Sequence, residues 1–468
     1  MKQIVSALLF ALIFMSGCSL TPAYQRSEAP IPQNWPDGEA YIKKPADADA
    51  PAAPDLKWEA FFTDPRLRRI IQTALERNRD LRLSLLNVER AAALYGIQKA
   101  ELFPSVNASG IMSTQRIPAD LSSSGNATNQ EQYSISLGVA SWEIDFFGRI
   151  RALKDRALEN FLETEEARRG AQILLIAATA GAYLNLAADR ENLNLAATTL
   201  KTQQDIYQII NRRYIAGVAN EVDVNRAKTQ VDAARGDIAR FTQRIALDEN
   251  ALSLLLGSPV SSDVLPANLS DIPEPRVISS GISSEILLNR PDILAAEHRL
   301  KGAYANIGAA RAALFPRISL TTTAGTASSD LSGLFGSGSG TWSFAPQISI
   351  PIFDARLWSA YDAANIEREI ALTQYEKTIQ TAFREVADAL AVYGTVGDQL
   401  SAQESLVDSV EIIRRRSEAR YLNGIDSYLS VLDAQRSLYA ARQGLVTLRL
   451  SRIANDVRLY AVLGGGCE

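Results

Sequence analysis

Apolar residues along this chain follow two rhythms. Near the C-terminus Ile425, Leu429, Leu432, Tyr439, Val446, Leu450, Ile453, Val457 and Tyr460 fall on one 4-3 heptad lattice, broken only by Arg436 and Gln443. Val431, Ala434, Leu438, Ala441, Leu445, Leu448 and Leu459 fall on a neighbouring lattice. Two adjacent apolar seams give a helix two helical neighbours, as in a wall of helices rather than a two-stranded rod. Upstream only a single seam is clean, through Val224, Ala227, Val231, Ala234, Ile238, Phe241, Ile245, Leu252 and Leu255. The second rhythm alternates. Trp342, Phe344, Ile348, Ile350 and Ile352 are apolar against Ser343, Ala345, Gln347 and Ser349, and Tyr133, Ile135, Leu137 and Val139 alternate with Ser134, Ser136 and Gly138. These read as strands with one apolar face. In the earlier segment the phase flips to Trp142, Ile144 and Phe146, which predicts a bulge or strand end near Ala140.

The chain is also written twice. Leu102-Phe103-Pro104 recurs as Leu314-Phe315-Pro316, 212 residues on (314 − 102), and Asp80, Gly96 and Ala100 match Asp292, Gly308 and Ala312 at the same offset. Arg213-Tyr214 and Gly217 match Arg420-Tyr421 and Gly424, now 207 residues on (420 − 213). An ordered series of matches with one small shift is a duplication. Each copy opens with a helical stretch, about Pro65 to Glu101 and Ser284 to Leu314, which stops at the Phe-Pro pair. Two strand segments follow, joined by a polar loop. A very long helix comes next, Arg149 to Ile215 and Ala355 to Leu422, then a break at Gly217 or Gly424. A last helix runs to Leu256 or Leu463 and ends at glycine. At ~1.5 Å per residue a stretch of nearly 70 residues reaches ~100 Å if continuous. Such lengths call for a coiled coil or a helical repeat.

Composition narrows the function classes. The net charge is -5, so no basic excess is present to neutralise phosphates, and nucleic acid is not an expected partner. One histidine, His298, and two cysteines, Cys18 and Cys467, exclude a zinc site of ordinary ligand count. His298 lies beside Glu297 on a helix, where neighbours face different directions and make no site. The Ser/Gly-rich stretch with Gly333, Gly336, Gly338 and Gly340 is flanked by strands, so it is a loop tip and not a phosphate cradle. No catalytic constellation is found. The expectation is a non-enzyme with no cofactor.

The N-terminus reads as a secretory signal, with Lys2 followed by an apolar run from Ile4 to Met15 that is too short to span a bilayer. Its end, Met15-Ser16-Gly17-Cys18, resembles a lipobox, in which the cysteine is acylated and becomes the new N-terminus; the alternative is an ordinary signal with an incidental cysteine. With Ser19 rather than Asp next, the resemblance to bacterial lipoproteins implies export to the outer membrane. No later segment reads as apolar for 18 residues, so a membrane crossing would use β-strands closed into a barrel. From alternation alone a half-buried soluble hairpin is an equal alternative; the lipobox favours the barrel. One chain offers four strands and a transmembrane barrel needs at least eight, so the barrel must be shared between chains.

Trp58, Phe61-Phe62, Asp64-Pro65, Asn78 to Arg82, the doubled Leu-Phe-Pro, Asp145 to Arg149, Arg290 to Ile293, Asn306 to Arg311, Leu432 to Ser437 and Leu463 to Gly466 together resemble the lipoprotein branch of the TolC-like outer-membrane factors. The resemblance implies a mixed α and β membrane protein: a duplicated helix-strand-strand-long helix-helix repeat forming, as a homotrimer, a 12-stranded β-barrel continuous with a 12-helix α-barrel. It implies the exit duct of a tripartite efflux pump, in contact with outer-membrane lipid, a periplasmic adaptor protein and an inner-membrane RND-type pump. It also implies an aperture at the periplasmic tip, with Leu429 and Asp433 one helical turn apart on the threefold axis, and Arg436 and Tyr421 tethering neighbouring helices in the closed state. Without the resemblance, Asp433 and Arg436 read as an i,i+3 ion pair on a solvated face, worth a few tenths of a kcal/mol.

The expected organisation is a signal peptide (1–17), a lipidated extended segment (18–60), a first repeat (61–257, strands about 104–147), a linker (258–283), a second repeat (284–464, strands about 316–353) and a tail (465–468). The linker and the Pro-rich stretch from Thr21 to Pro54 are candidates for an equatorial girdle around the α-barrel. Two alternatives to the efflux duct stand: an exit channel for type I protein secretion, and a lipid-anchored periplasmic scaffold without a pore.

Overall fold

In a computed structural model the described residues are 19–41, 51–279 and 283–466; Cys18 and Cys467 lie outside them. The main elements are α1 (Pro65–Arg77), α2 (Arg79–Ala100), β1 (Val106–Ile117), β2 (Thr128–Ile144), α3 (Arg149–Ile215), α4 (Glu221–Leu256), α5 (Pro291–Ala312), β3 (Arg317–Ser328), β4 (Gly340–Ser349), α6 (Ala355–Leu422) and α7 (Tyr428–Val462). The chain divides into two compact units.

The first unit comprises Met1–Glu28, Asn87–Thr164 and Ala295–Tyr375 and contains all four strands. They form one antiparallel sheet in the order β1-β2-β3-β4. Register sorts the side chains by face. Val106, Ala108 and Met112 lie opposite Val139, Leu137 and Tyr133; on the same face Trp142 and Ile144 meet Leu320 and Ile318, and Ala324 and Thr322 meet Trp342 and Phe344. The other face carries Asn107, Ser109, Ser134, Ser136, Ser319, Thr323, Ser343 and Gln347, with Ile111 and Ile117 as its large apolar exceptions. Between Val139 and Trp142 the register shifts, so Ala140 and Ser141 together oppose Thr321. Ser141 takes a φ of 52°, and its N–H donates to Thr321 Oγ1 at 3.1 Å. This bulge is what lets Leu137, Val139, Trp142 and Ile144 share one face despite the broken alternation. Close packing of β2 on β3 requires glycine at 325, where a Cβ would overlap the Ile135 carbonyl oxygen. β1 and β4 each pair on one side only.

Beside the sheet, α5 packs on the start of α3. His298 Nδ1 lies 2.6 Å from Glu159 Oε2, and Arg156 Nη1 donates to Asn306 Oδ1 at 3.0 Å. His298 is thus one half of a structural pair. The segment after Cys18 runs along α5: Tyr24 donates to Glu297 Oε1 at 3.1 Å, Arg26 pairs with the same carboxylate, and Thr21 lies so close to Gly308 that a Cβ there would clash.

The second unit comprises Ala29–Leu86, Glu165–Leu294 and Glu376–Glu468. Its core includes Phe61 stacked on Tyr460 at 4.0 Å, with the Tyr460 hydroxyl donating to the Leu56 carbonyl at 2.6 Å. Asp64 caps α1 through the Arg66 N–H at 2.8 Å and accepts from the Tyr183 hydroxyl at 2.8 Å. Burial, and then that carboxylate, push the tyrosine pKa well up.

Two expectations needed correction. The stretch from Pro65 to Glu101 is two helices, broken at Asn78, which has extended backbone (ψ 134°). Asn78 Oδ1 accepts from the Leu81 N–H at 2.9 Å, starting α2, while its Nδ2 donates to the Leu255 carbonyl at 2.9 Å at the end of α4. The duplicate position, Arg290, has the same extended backbone and donates through Nη1 to the Val462 carbonyl at 2.7 Å, at the end of α7. One device therefore serves both copies through different side chains: the residue at the break satisfies an orphan carbonyl at a helix C-terminus. Copy two correspondingly opens with a 3₁₀ turn, Ser284–Asn289, before α5. The second correction concerns α3, which holds an uncharged run from Gly170 to Ala188. An 18-residue window of this helix reaches a mean hydropathy of 1.5, with 61% of the window buried inside the protein. Ile176, Ala180, Leu184 and Leu186 are buried there, so its apolarity belongs to a packed core.

Over much of their length the seams are covered. On α7, Leu432, Val446, Ile453, Val457 and Tyr460 of the first lattice are buried, and so are Val431, Ala434, Leu438 and Ala441 of the second; on α4 Ala227, Val231, Ala234, Phe241 and Leu252 make one buried seam. By contrast α2 has no buried residue, and Leu83, Leu86, Leu94 and Ile97 are exposed.

Candidate functional site

The two helical hairpins, α3–α4 and α6–α7, turn in the same way because the same short sequence closes both. Gly217 and Gly424 have φ of 78° and 74°, in the left-handed region that other residues resist. The Gly217 N–H donates to Tyr214 O and the Val218 N–H to Arg213 O, both at 2.9 Å; Gly424 donates to Tyr421 O at 3.0 Å and Ile425 to Arg420 O at 2.9 Å. Each pair is a Schellman cap, which ends the long helix and satisfies its last carbonyls. Asn220 then starts α4 by accepting from the Asp223 N–H at 2.8 Å, and Arg420 locks the second turn onto Asp426 with contacts of 2.6 and 3.1 Å.

Behind the turns the hairpins share a small core. Ile210 of α3, Ala227 of α4 and Tyr428, Val431 and Leu432 of α7 are buried together, with Ile206, Tyr207, Val224 and Tyr421 packed around them. The Arg213 guanidinium lies 5.0 Å from the Tyr421 ring centroid, and the Tyr421 and Tyr428 rings are 5.6 Å apart. The Tyr428 hydroxyl is buried without a hydrogen-bond partner among the described residues, and burial first of all pushes its pKa up to about 12. Further along, Gln203 Nε2 donates to Gln435 Oε1 at 3.1 Å, a buried amide contact between α3 and α7.

The four residues singled out in the sequence divide into two groups. Tyr421 points into the shared core. Leu429, Asp433 and Arg436 are exposed on one face of α7, at i, i+4 and i+7. Asp433 makes no ion pair among the described residues, and the Arg436 Nε instead donates to Gln230 Oε1 of α4 at 3.1 Å. Leu429 and Ile425, both on the first apolar lattice of α7, are 43% and 62% exposed, so this seam lies open where it reaches the tip. In copy one the equivalent exposed face holds Val222, Arg226 and Thr229, and Arg226 lies 3.7 Å from Asp223. Only the second copy therefore offers a leucine and an unpaired carboxylate one turn apart. Sequence reading missed Tyr428, Gln230 and the Gln203–Gln435 contact. The three-residue step from Tyr428 to Val431 was the available sign for the first; the amide partners, over 200 residues apart, left none.

A model of the family described as "Outer membrane efflux protein" matches residues 70–258 and 282–465. The chain is 48% identical to the "Solvent efflux pump outer membrane protein SrpC" of Pseudomonas putida, over 98% of this chain and 97% of that protein. It is 41% identical to the "Cation efflux system protein CusC" of Escherichia coli O157:H7, over 97% of each. Its fold superposes on the crystal structure of the open state of the Neisseria gonorrhoeae MtrE outer membrane channel with a TM-score of 0.86 at 35% identity, covering 96% of this chain and 99% of that one.

Proposed function

The chain belongs to the outer membrane efflux protein family and acts as an outer-membrane component of efflux; from that membership we propose that three copies form a passive exit duct, gated at its periplasmic tip. The observation that carries this reading is the sheet. It has one apolar and one polar face, four strands and two unpaired edges. Open edges cannot stand in hydrocarbon, and the smallest transmembrane barrels have about eight strands. Three chains supply twelve. The apolar face then meets lipid and the polar face lines the lumen. The exposed apolar stripe of α2 gives the same assembly a second reason, since another chain must cover it.

At the tip, three Leu429 side chains form an apolar constriction and three Asp433 carboxylates a ring one turn away, which favours cations. Tyr421 and Arg436 hold α7 against α3 and α4 through the shared core and Gln230. Opening requires the hairpins to separate, a shift between two packings driven by an adaptor and an inner-membrane RND-type pump engaging the tip. Acylated Cys18 anchors each chain in the membrane. Relatives named for solvents and for cations share this architecture, which supports a duct that takes its cargo class, small molecules or ions, from the pump it serves.

The test is conductance. Replacing both Leu429 and Asp433 by Ala raises single-channel conductance in planar bilayers, lowers cation preference and sensitises cells to large antibiotics without any pump. A double variant that conducts like its parent removes these residues from the aperture, and a parent with no channels under any condition points to a scaffold.

A further inference from the structure

Well behind the tip, α3, α4 and α7 enclose a cleft of about 430 Å³ within the second unit. Its polar lining comes mainly from Asp189 and Asn192 on α3 and from Arg244 and Asp248 on α4, while α7 contributes Val446, Thr447 and Leu450. The Asp189 and Asp248 carboxyls face one another across the α3–α4 contact. Asp248 Oδ2 and Asn192 Oδ1 are both buried and receive no hydrogen bond, and Asn192 is only 8% exposed. Three side chains with acceptor oxygens thus line one cleft, and two of those oxygens have no hydrogen-bond partner.

The nearby charges do not cancel. Arg244 lies 3.6 Å from Asp189 and balances one carboxylate. Arg240 also acts on Asp189 but is itself paired with Asp237 at 2.7 Å, and Glu249 is paired with Arg190 at 2.9 Å, so neither pair changes the net charge of the cleft. The residues of α7 that line it carry no charge. One negative charge is left over. A proton shared by the two carboxyls would relieve their repulsion but would leave Asn192 Oδ1 without a donor. A cation answers both needs, because carboxylate and amide oxygens are hard ligands.

We infer that this cleft binds a hydrated divalent cation of the Mg²⁺ or Ca²⁺ class, held by Asp189, Asp248 and Asn192 with water completing the shell. One or two carboxylates with several retained waters is a common arrangement for Mg²⁺. Bound there, the ion ties α3 to α4 along the shaft of the first hairpin.

The experiment uses the detergent-solubilised full-length protein after chelation. Adding Mg²⁺ or Ca²⁺ at pH 7.5 raises the thermal midpoint to a plateau. Asp248→Asn abolishes the saturable part, and Asn192→Leu weakens apparent affinity by roughly tenfold or more. Mn²⁺ followed by paramagnetic resonance on the parent gives an independent count, one bound ion per chain displaced by Mg²⁺, which holds even if a variant folds poorly. The inference fails if the parent binds no Mn²⁺ at one per chain. It also fails if neither cation moves the midpoint, or if Asp248→Asn keeps the parent's response.

Discussion

Leu137 and Ser136 are neighbours in the middle of β2, yet register puts them on opposite faces of the sheet. Leu137 sits beside Ala108 and Ala324 on the apolar face; Ser136 sits beside Ser109 and Gly325 on the polar one, its hydroxyl 3.0 Å from that of Ser109. If the apolar face meets lipid, Leu137→Arg places a guanidinium in hydrocarbon at a cost of about 2–4 kcal/mol near the bilayer midplane. A trimer carries the change three times, and well-separated sites add, so the barrel loses roughly 6–12 kcal/mol. That compares with the whole stability of an ordinary domain, about 5–15 kcal/mol. Ser136→Arg loses one hydroxyl contact on a wet face, about 1 kcal/mol or less per chain. Folding into lipid vesicles, followed by the fluorescence of Trp142 and Trp342 on the apolar face, reports both variants. Leu137→Arg should fail to insert, or unfold at much lower denaturant, while Ser136→Arg folds close to the parent. Equal damage from the two, or the reverse order, would refute the assignment of faces.

Two further outcomes follow from buried groups in the second unit. Tyr428→Phe removes a buried hydroxyl with no partner, so it should raise stability by about 1 kcal/mol, read as a higher thermal midpoint; a clear loss would mean that the hydroxyl is bonded in the assembled protein. Asp456 has its pKa pushed up to about 6 by burial, with Glu274 adding and Arg452 opposing. Its folded form thus prefers the proton, and its contribution to stability is complete below about pH 4 and lost as pH rises through about 6. Asp456→Asn should flatten the decline between those values and leave the protein more stable than its parent at pH 7; an unchanged pH profile would show that the carboxyl is solvated or paired.

What the sequence revealed was whatever local pattern determines. The long helices from Arg149 and Ala355 carry heptad seams, and their ends at Gly217 and Gly424 need a positive φ, so both were readable. The bulge at Ala140 and Ser141 showed as a flip in alternation. The break at Asn78 did not, because Arg77-Asn78-Arg79 contains no proline or glycine and the kink is fixed by a carbonyl 177 residues away. The tip was half legible. The spacing of Leu429 and Asp433 places them on one face, but only resemblance suggested an aperture there. The i,i+3 pairing of Asp433 with Arg436 was the natural local reading, and it lost to Gln230, which lies 206 residues earlier. Contacts between the two copies, such as Gln203 with Gln435, depend on how duplicated hairpins pack, and no local pattern encodes that.

The central claim is a barrel shared by three lipid-anchored chains, and native mass determination of the protein extracted in mild detergent tests it most directly. The account predicts a species of three chains, or a multiple of three, each beginning at Cys18 and heavier than its polypeptide by attached acyl groups. A stable, folded monomer under those conditions would contradict it, since four strands with two open edges could then stand alone.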